Sequence, residues 1–304
     1  MFIDIRDDLI NLNGYGLLES LLKDKTTKSN IIWATDAYIE YGTSFGRDKE
    51  IKVEQLLKDN LRFIKARSSK DEQQQSKRTK AHAEVMTPLW VCKQMNDYAD
   101  EQWFGEKGVF DTKDTIVFPE GKTWKDYVES NRLEITCGEA PYLVSRYDAT
   151  TGEHVKIEDR IGILDRKLRV VNENVDNEED WLEWCIKAFK ATYGYEFQGD
   201  NLIIARTNLL MTFKEYLKDR WDREPSIKEY RKLINIICWN IWQMNGLTDT
   251  IPYFNPQKEV EQLTFDFFND EEEMNVSEDK PYCRIYDWKA NKSIEYRSLK
   301  KGNM

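Results

Sequence analysis

The chain has 304 residues and a mass of 36.2 kDa, which is enough for one large domain or two modest ones. Hydrophobic residues make up 40% and charged residues 33%, so a packed core is expected and a wholly disordered chain is excluded. No apolar run approaches the ~20 residues that a bilayer-spanning helix needs, and acids occupy the N-terminal segment where a signal peptide has a basic flank. The composition therefore predicts a soluble, cytoplasmic protein.

The charge balance and the scarcity of histidine exclude further classes of function. There are 45 basic and 55 acidic side chains, and the resulting net charge of −10 should repel a phosphate backbone from the chain acting alone. The two histidines, His82 and His154, argue against a His-rich metal centre and against Ser-His-Asp hydrolysis. The cysteines are odd in number and lack CxxC spacing, which predicts reduced and mostly buried thiols. They are Cys92, Cys137, Cys185, Cys238 and Cys283.

The N-terminal 80 residues read as a helical region that ends in a basic linker, and residues 81–304 read as a second domain. Residues 62–80 hold seven basic side chains against two acids. A solvated linker and a phosphate-contacting arm are both compatible with this composition. Next, Thr87 is placed to cap a helix whose first position is Pro88. Alternation over residues 133–137 predicts a strand, which gives way to a turn and a short helix at Gly138 and Pro141.

Helical patterns dominate the second half of the chain. Apolar spacing predicts helices over residues 156–174 and 176–191, and a third helix capped by Asp200. A short strand over residues 192–199 precedes the third helix. A further helix runs from Ser226 to about Gln243 and is apolar on more than one face. Residues 259–279 contain nine acids and no base, which predicts a disordered acidic loop. The final segment, CRIYDW to SIEYRSL, predicts a β-hairpin.

A strand, a sharp glycine turn, a helix and a later strand that ends in an acid outline a nucleotide-type site. The turn is residues 136–142 and the acid is Glu196. One glycine is too few for a dinucleotide loop, no GxxxxGK[ST] segment is present, and Glu139 would repel a phosphate. S-adenosylmethionine (SAM) fits these residues better, because its sulfonium is cationic and it carries no phosphate.

Four segments in this order, AEVMTPLWVCKQM, LEITCGEAPYL, YGYEFQGDNLIIARTNLL and WNIWQMNGL, carry a family resemblance. The chain from about residue 78 onward resembles the SAM-binding half of N6-adenine DNA methyltransferases of restriction–modification systems. More narrowly, it is similar to the large type II enzymes of the γ arrangement, in which the cofactor motifs precede the catalytic motif. The resemblance implies an α/β fold, namely a partial Rossmann-like SAM-dependent methyltransferase fold with a helical N-terminal region and helical insertions.

The resemblance also implies which residues bind the cofactor. The family's Phe-Thr-Pro segment, at the methionine end of SAM, matches residues 86–88, and its Asp-x-x-x-Gly-x-Gly loop matches residues 134–140 with Ala140 in place of the second glycine. The ribose-binding acid matches Glu196, and the segment near the adenine matches Asn245-Gly246-Leu247. The implied cofactor-binding residues are Met86, Thr87, Pro88, Glu134, Thr136, Cys137, Gly138, Glu139, Ala140, Glu196, Phe197 and Asn245.

The catalytic motif of this family, Asn/Asp-Pro-Pro-Tyr/Phe, is missing. The seven prolines stand at positions 88, 119, 141, 225, 252, 256 and 281, and no two are adjacent. The segments around Pro252 and Pro256 each lack the second proline, so they are interpreted as loop. In the family the motif accepts both hydrogens of the adenine amine and stacks on the flipped-out base, so this chain lacks the acceptor half of the site.

The resembled enzymes reach their catalytic strand about where this chain ends, which predicts a split enzyme. A second methyltransferase subunit would carry the catalytic motif and the target-recognition domain, complete the sheet between chains and bring most of the cations that bind double-stranded DNA. The terminal hairpin and the aromatic side chains of Trp239 and Trp242 are the expected interface. Two alternatives stay open: a non-catalytic scaffold or decoy that modulates a restriction system, and a small-molecule or RNA methyltransferase. A restriction nuclease is disfavoured because no Pro-Asp…Asp/Glu-x-Lys core is found.

Overall fold

The computed structural model describes residues 4–57, 87–254 and 281–301. Met86, His82, the predicted basic linker and the predicted acidic loop lie outside the described residues. The helices are α1 Ile5–Gly14, α2 Leu18–Leu22, α3 Val53–Leu57, α4 Leu89–Phe104, α5 Trp124–Val128, α6 Ile163–Asn174, α7 Glu178–Lys190, α8 Gly199–Trp221, α9 Ile227–Asn240 and α10 Ser298–Lys301. The strands are β1 Arg132–Glu134, β2 Thr192–Glu196, β3 Ile241–Gln243, β4 Arg284–Asp287 and β5 Lys292–Glu295.

The chain is a mixed α/β protein built around a small parallel sheet. The strand order is β1-β2-β3, with Arg132 opposite Thr192 and Gly194 opposite Ile241. Two helices connect β1 to β2 and two connect β2 to β3, as parallel strands require crossover connections. Strands β4 and β5 form the predicted antiparallel hairpin, which is thereby confirmed.

The helices over the middle of the chain are confirmed, with shorter bounds than predicted. The pattern over residues 156–174 contains a single 3₁₀ turn, Ile157–Asp159, before α6 begins. A β-carbon on Gly162, the residue before α6, would lie 2.5 Å from the carbonyl oxygen of Leu143, so the helix start packs directly on the loop that follows β1. Helix α7 begins after Asn177, whose side chain accepts the Asp180 N–H.

Three helix boundaries differ from the prediction. Helix α4 starts at Leu89 with Pro88 as the extended residue before it, and no side chain caps this end, so Thr87 is not the cap. Asp200 lies inside the first turn of α8 and accepts a hydrogen bond from the Tyr38 hydroxyl instead of capping the helix. Helix α9 ends at Asn240 because residues 241–243 pair with β2 as β3.

The prediction of a short helix after Pro141 is also wrong. Residues 141–143 form a turn, in which the Leu143 N–H bonds to the Ala140 carbonyl. The backbone N–H groups of Tyr142 and Leu143 also bond to the Glu134 side chain, and a carboxylate that competes for backbone donors favours a turn over a helix.

One hydrophobic core runs from the N-terminal helices to the sheet. It includes side chains from Ile5 in α1 to Ile241 in β3, so residues 4–57 pack together with the later chain. The Gly199 N–H bonds to the Trp33 carbonyl at 3.0 Å, and the Gln243 side chain bonds to both backbone groups of Ile32. All five cysteines are free and buried, as predicted.

A second, smaller cluster lies between the sheet and the hairpin. Trp242 belongs to it with Tyr195 and Met244 from the sheet side and Ile285 from the hairpin. Trp242, one of the two aromatic side chains of the expected interface, is only 2% exposed, so little of its surface is accessible to a second chain. The reason is that Trp242 stands in β3, where its ring packs under the hairpin. No helix among the described residues is long and apolar enough to cross a membrane.

Candidate cofactor site

A cavity of about 990 Å³ opens at the carboxyl ends of β1 and β2. Ligands in parallel α/β sheets bind at this end, where strands give way to loops and helix N-termini. Eight of the predicted cofactor-binding residues line the cavity. They are Thr87, Glu134, Thr136, Cys137, Gly138, Glu139, Glu196 and Phe197.

The loop after β1 has an alternating backbone conformation. Thr136, Gly138 and Ala140 have left-handed φ values of 48°, 54° and 65°. Between them the Cys137 N–H bonds to the Tyr195 carbonyl at 2.8 Å, so the loop continues the pairing with β2. The Ala140 N–H bonds back to the Cys137 carbonyl at 2.7 Å, which closes the turn. At the predicted second-glycine position, Ala140 adopts glycine-like geometry while its methyl is fully buried, which costs about 1–2 kcal/mol of backbone strain.

Glu196 connects this loop to β2 and to the start of α8. Its Oε2 accepts the Gly138 N–H at 2.8 Å and its Oε1 accepts the Gln198 N–H at 3.0 Å. The side chain is only 6% exposed. A carboxylate offers about four acceptor positions, so Glu196 can take further hydrogen bonds from a ligand while it holds the loop. The predicted pairing of Gly138 with Glu196 in one site is therefore present in the geometry.

Glu134 ends β1 and presents a second carboxylate to the cavity. It accepts the backbone N–H groups of Tyr142 and Leu143, yet its Oε2 is buried and has no hydrogen-bond partner among the described residues. Burial raises the pKa of Glu134 well above its usual range, and the nearby charge of Glu196 adds to the rise. A cationic group in the cavity would relieve both effects.

Two residues that the sequence patterns did not single out, Tyr147 and Asn208, fix the orientation of Glu139. The Tyr147 hydroxyl donates to Glu139 Oε2 at 2.6 Å, and the Asn208 amide bonds to both the Glu139 carbonyl and the Tyr147 hydroxyl. Asn96 likewise escaped prediction: it lines the cavity and donates to the Tyr142 carbonyl at 2.9 Å. Its only sequence signal is a polar residue four positions after buried Cys92 on α4.

The remaining predicted site residues lie elsewhere. Pro88 precedes α4 and Ala140 supports the loop from within the core, so neither lines the cavity. Asn245 follows β3, where its side chain accepts the Leu247 N–H at 3.0 Å and its own N–H bonds to the Thr250 carbonyl. The sequence segment around Asn245 therefore forms a local turn and does not reach the cavity lining.

An exposed apolar surface adjoins the cavity. Strand β1 is an outer strand of the sheet, and within the described residues nothing pairs with its second edge. Leu133 and Ile135 are 44% and 63% exposed, and Met95 of α4 lies beside them in the cavity wall at 56% exposure. Trp90 and Tyr98 on α4 are exposed as well. A free strand edge flanked by apolar side chains is a pairing surface.

The arrangement can bind a cationic or nucleoside-like ligand, and nothing in it forms an activated nucleophile. Burial raises the pKa of the Cys137 thiol well above its usual range, which keeps the thiol protonated and inert. No group of three potential metal ligands occurs within residues 4–57, 87–254 and 281–301. The fold is thus that of a mixed α/β protein with an acid-lined cavity at the carboxyl ends of its parallel strands. No family model matches the chain, and neither the curated proteins nor the solved structures contain a significant match to it.

Proposed function

We propose that the chain is the SAM-binding subunit of a heteromeric DNA adenine-N6 methyltransferase of the restriction–modification type. Its partner carries the Asn/Asp-Pro-Pro-aromatic motif and the target-recognition domain. The observation that carries the proposal is the meeting of the Gly138 loop and the Glu196 carboxylate at one cavity at the carboxyl ends of parallel strands. The family resemblance names these same two residues as the turn and the ribose-binding acid. On this proposal the parallel sheet is part of a Rossmann-like methyltransferase fold.

The donor groups in the cavity fit SAM. The buried, unpartnered Oε2 of Glu134 can accept the ammonium of the methionine moiety, and the Glu196 carboxylate, which lines the cavity, can accept ribose hydroxyls. Phe197, which lines the cavity beside Glu196, offers an aromatic surface to the adenine ring. When bound, SAM supplies an electrophilic methyl group on its sulfonium. The acids of this chain bind and orient that cation, and they accept no proton from the substrate amine.

The free edge of β1 supports the part of the proposal that concerns a second chain. A strand added to β1 would lie next to the cavity, with Leu133 and Ile135 buried beneath it. That position brings an acceptor-binding motif on the added strand to the methyl donor. On this proposal the interface with the second chain lies at β1 and the exposed face of α4, and not at Trp242 and the hairpin.

Calorimetry and a methylation assay test the proposal together. The purified chain, alone and after co-purification with a subunit that carries the catalytic motif, is titrated with SAM and assayed for N6-methyladenine in duplex DNA. We expect SAM binding, no methylation by the chain alone and methylation by the pair. Glu196→Gln should weaken SAM binding at least tenfold, whereas Glu106→Gln, on the exposed surface, should not. Methylation by the isolated chain would refute the division of labour.

A second candidate function has one observation in its favour. Both oxygens of Glu196 already accept backbone N–H groups, and Glu139 already accepts the Tyr147 hydroxyl, so each of these acids has a structural role within the chain. A non-catalytic scaffold or decoy subunit that retains the architecture would look the same. Absence of SAM binding both alone and with the partner would select this second candidate.

A further inference from the structure

The end of the sheet opposite the cavity carries a different surface. Helix α7 ends at Lys190 just before β2, and α9 ends at Asn240 just before β3. The Asn240 amide donates to the carbonyls of Phe189, Lys190 and Thr192, which fastens the two helix ends together. Residues around these helix ends therefore face away from the cofactor cavity, on the amino ends of the strands.

Three aromatic rings cross this surface from α9 to the hairpin. The ring centroids of Trp239 and Tyr286 are 5.2 Å apart, and those of Tyr286 and Trp288 are 4.5 Å apart. The Trp288 Nε1 donates to Asn240 Oδ1 at 2.8 Å, so the last ring is anchored to the end of α9. All three rings are partly exposed.

Lysines from separate parts of the chain lie over these rings. The ammonium groups of Lys25 and Lys28 are 5.8 Å and 5.5 Å from the Trp239 centroid, and that of Lys190 is 4.9 Å from the Trp288 centroid. The loop that carries the first two lysines is shaped by Asp24, whose Oδ1 accepts the N–H groups of the next turn. The rings thus hold three cations at the surface without neutralising them.

Helix α9 adds a row of three more cations. Lys228, Arg231 and Lys232 are exposed, share one helix face with Trp239, and form no ion pair within the described residues. They stand in the N-terminal half of α9, where the helix dipole disfavours positive charge. Helix stability therefore gives no reason for their placement.

These six side chains, Lys25, Lys28, Lys190, Lys228, Arg231 and Lys232, together with the three rings, form what we term the cationic face. Lys187 is left out because it already pairs with Glu183 at 3.1 Å. Asp287, the nearest acid on the hairpin, accepts the backbone N–H groups of residues 289 and 290. Burial lowers the pKa of Lys190, and the nearby positive charges of Lys232 and Lys187 lower it further.

We propose that the cationic face binds the phosphate backbone of duplex DNA without reading its sequence. Clustered, unpaired lysine and arginine side chains release counterions from phosphates, and this local effect operates even on a chain with a net charge of −10. Ammonium groups lie over the rings of Trp239 and Trp288, which leaves less of these rings open for stacking of unpaired bases and favours a duplex over a single strand. This contact needs neither SAM nor a partner subunit, so it goes beyond the proposed function.

The test measures fluorescence anisotropy of a labelled random-sequence duplex against salt concentration. The test variant is Lys228→Glu/Arg231→Glu/Lys232→Glu. The matched control is Lys107→Glu/Lys113→Glu/Lys156→Glu, which makes the same change in net charge at exposed lysines that already have acidic neighbours. We expect the test variant to lower the affinity at least tenfold at low salt and to reduce the salt slope by about 2–3, since each phosphate contact contributes about 0.9. The control should change the affinity less than threefold.

Three results would overturn the proposal: equal losses in both variants, equal affinity for single-stranded and duplex DNA, or displacement of the duplex by polyglutamate at equal charge concentration. The last result would assign the face to an acidic protein instead. Thermal melting of the test variant separates misfolding from loss of binding, and its melting temperature should be unchanged or higher. SAM titration of the same variants should be unaltered, so a failure of the cofactor proposal and a failure of the DNA proposal give different results.

Discussion

The two ends of the parallel sheet differ in the sign of their charged side chains and in the groups that these side chains contact. At the carboxyl ends of the strands, Glu196 is buried and Glu134 is half-buried, and both accept backbone N–H groups of the loop that follows β1. At the amino ends, the exposed Lys28 and the half-buried Lys190 lie over aromatic rings. The net charge alone therefore describes the chain poorly, because acidic and basic side chains are separated along the direction of the strands.

The direction of the helices explains part of this separation. Helix α8 begins at Gly199 beside the cavity, and α7 ends at Lys190 beside the cationic face. Helix N-termini favour negative charge and helix C-termini favour positive charge. Burial at the cavity amplifies electrostatic interactions there, while the exposed lysines are screened by salt. The two ends should therefore respond differently to mutation, pH and ionic strength.

The largest expected effect comes from the tight packing at the cavity end. A β-carbon on Gly199 would lie 2.0 Å from the carbonyl oxygen of Ile32, which is backbone and cannot swing away. Gly199→Ala should lower the free energy of unfolding by about 2–3 kcal/mol in urea denaturation. Gly14→Ala is the control, because no atom lies within 4 Å of its β-carbon position. If the two variants had equal stability, the packing of the N-terminal segment on α8 would be wrong.

The next effect concerns the buried carboxylate of Glu134. The pKa of Glu134 is raised in the folded state, so the folded protein binds more protons than the unfolded chain above the usual glutamate pKa. Wild-type stability should therefore fall as pH rises through that window, and Glu134→Gln should reduce the fall. The same variant should weaken SAM binding about tenfold or more, because a charge-assisted hydrogen bond is lost. Urea titrations from pH 5 to 8 and calorimetry measure the two changes, and an unaltered pH slope would contradict the first.

A smaller effect is expected at the start of α9, which carries the cationic row. Ser226 caps this helix: its side chain accepts the Glu229 N–H, and the Glu229 carboxylate bonds back to Ser226. Ser226→Ala should cost about 1 kcal/mol of stability. Ser20→Ala, at an exposed position in α2, should cost much less. Thermal denaturation of the two variants compares them, and equal melting temperatures would argue against the capping geometry.

The smallest expected effect compares a charge reversal near the N-terminus of α9 with one at the C-terminus of α7. Lys228→Glu places an acid in the first turn of α9 and should stabilise the protein by about 0.5 kcal/mol at low salt. Lys190→Glu, at the C-terminus of α7, should destabilise it, because the dipole interaction reverses and the contact with Trp288 is lost. Both differences should shrink in 1 M NaCl. Equal signs for the two variants would show that the helix dipoles do not govern these positions.

Local sequence patterns predicted most of the helices and the hairpin, and they also predicted that Gly138 and Glu196 belong to one site. They failed where distant residues compete for the backbone. The segment after Asn240 carries a helical apolar pattern, yet pairing with β2 makes it a strand. The residues after Pro141 have turn and helix character, and the Glu134 carboxylate decides for the turn. Asn96 and Asn208 were not predicted because their polar partners come from distant parts of the chain.

The sequence by itself determined the amphipathic helices, the capped start of α9 and the hairpin, because each depends on side chains a few positions apart. The number and spacing of the cysteines indicated that they are reduced and mostly buried. Only the tertiary structure decided the raised pKa of Glu134, the free edge of β1 and the cationic face. Lys25 reaches the side chain of Asn235 across 210 positions of sequence, and no local pattern carries that contact. Charge on this protein is organised by the packing of remote segments, since electrostatic interactions depend on distance in space and on burial.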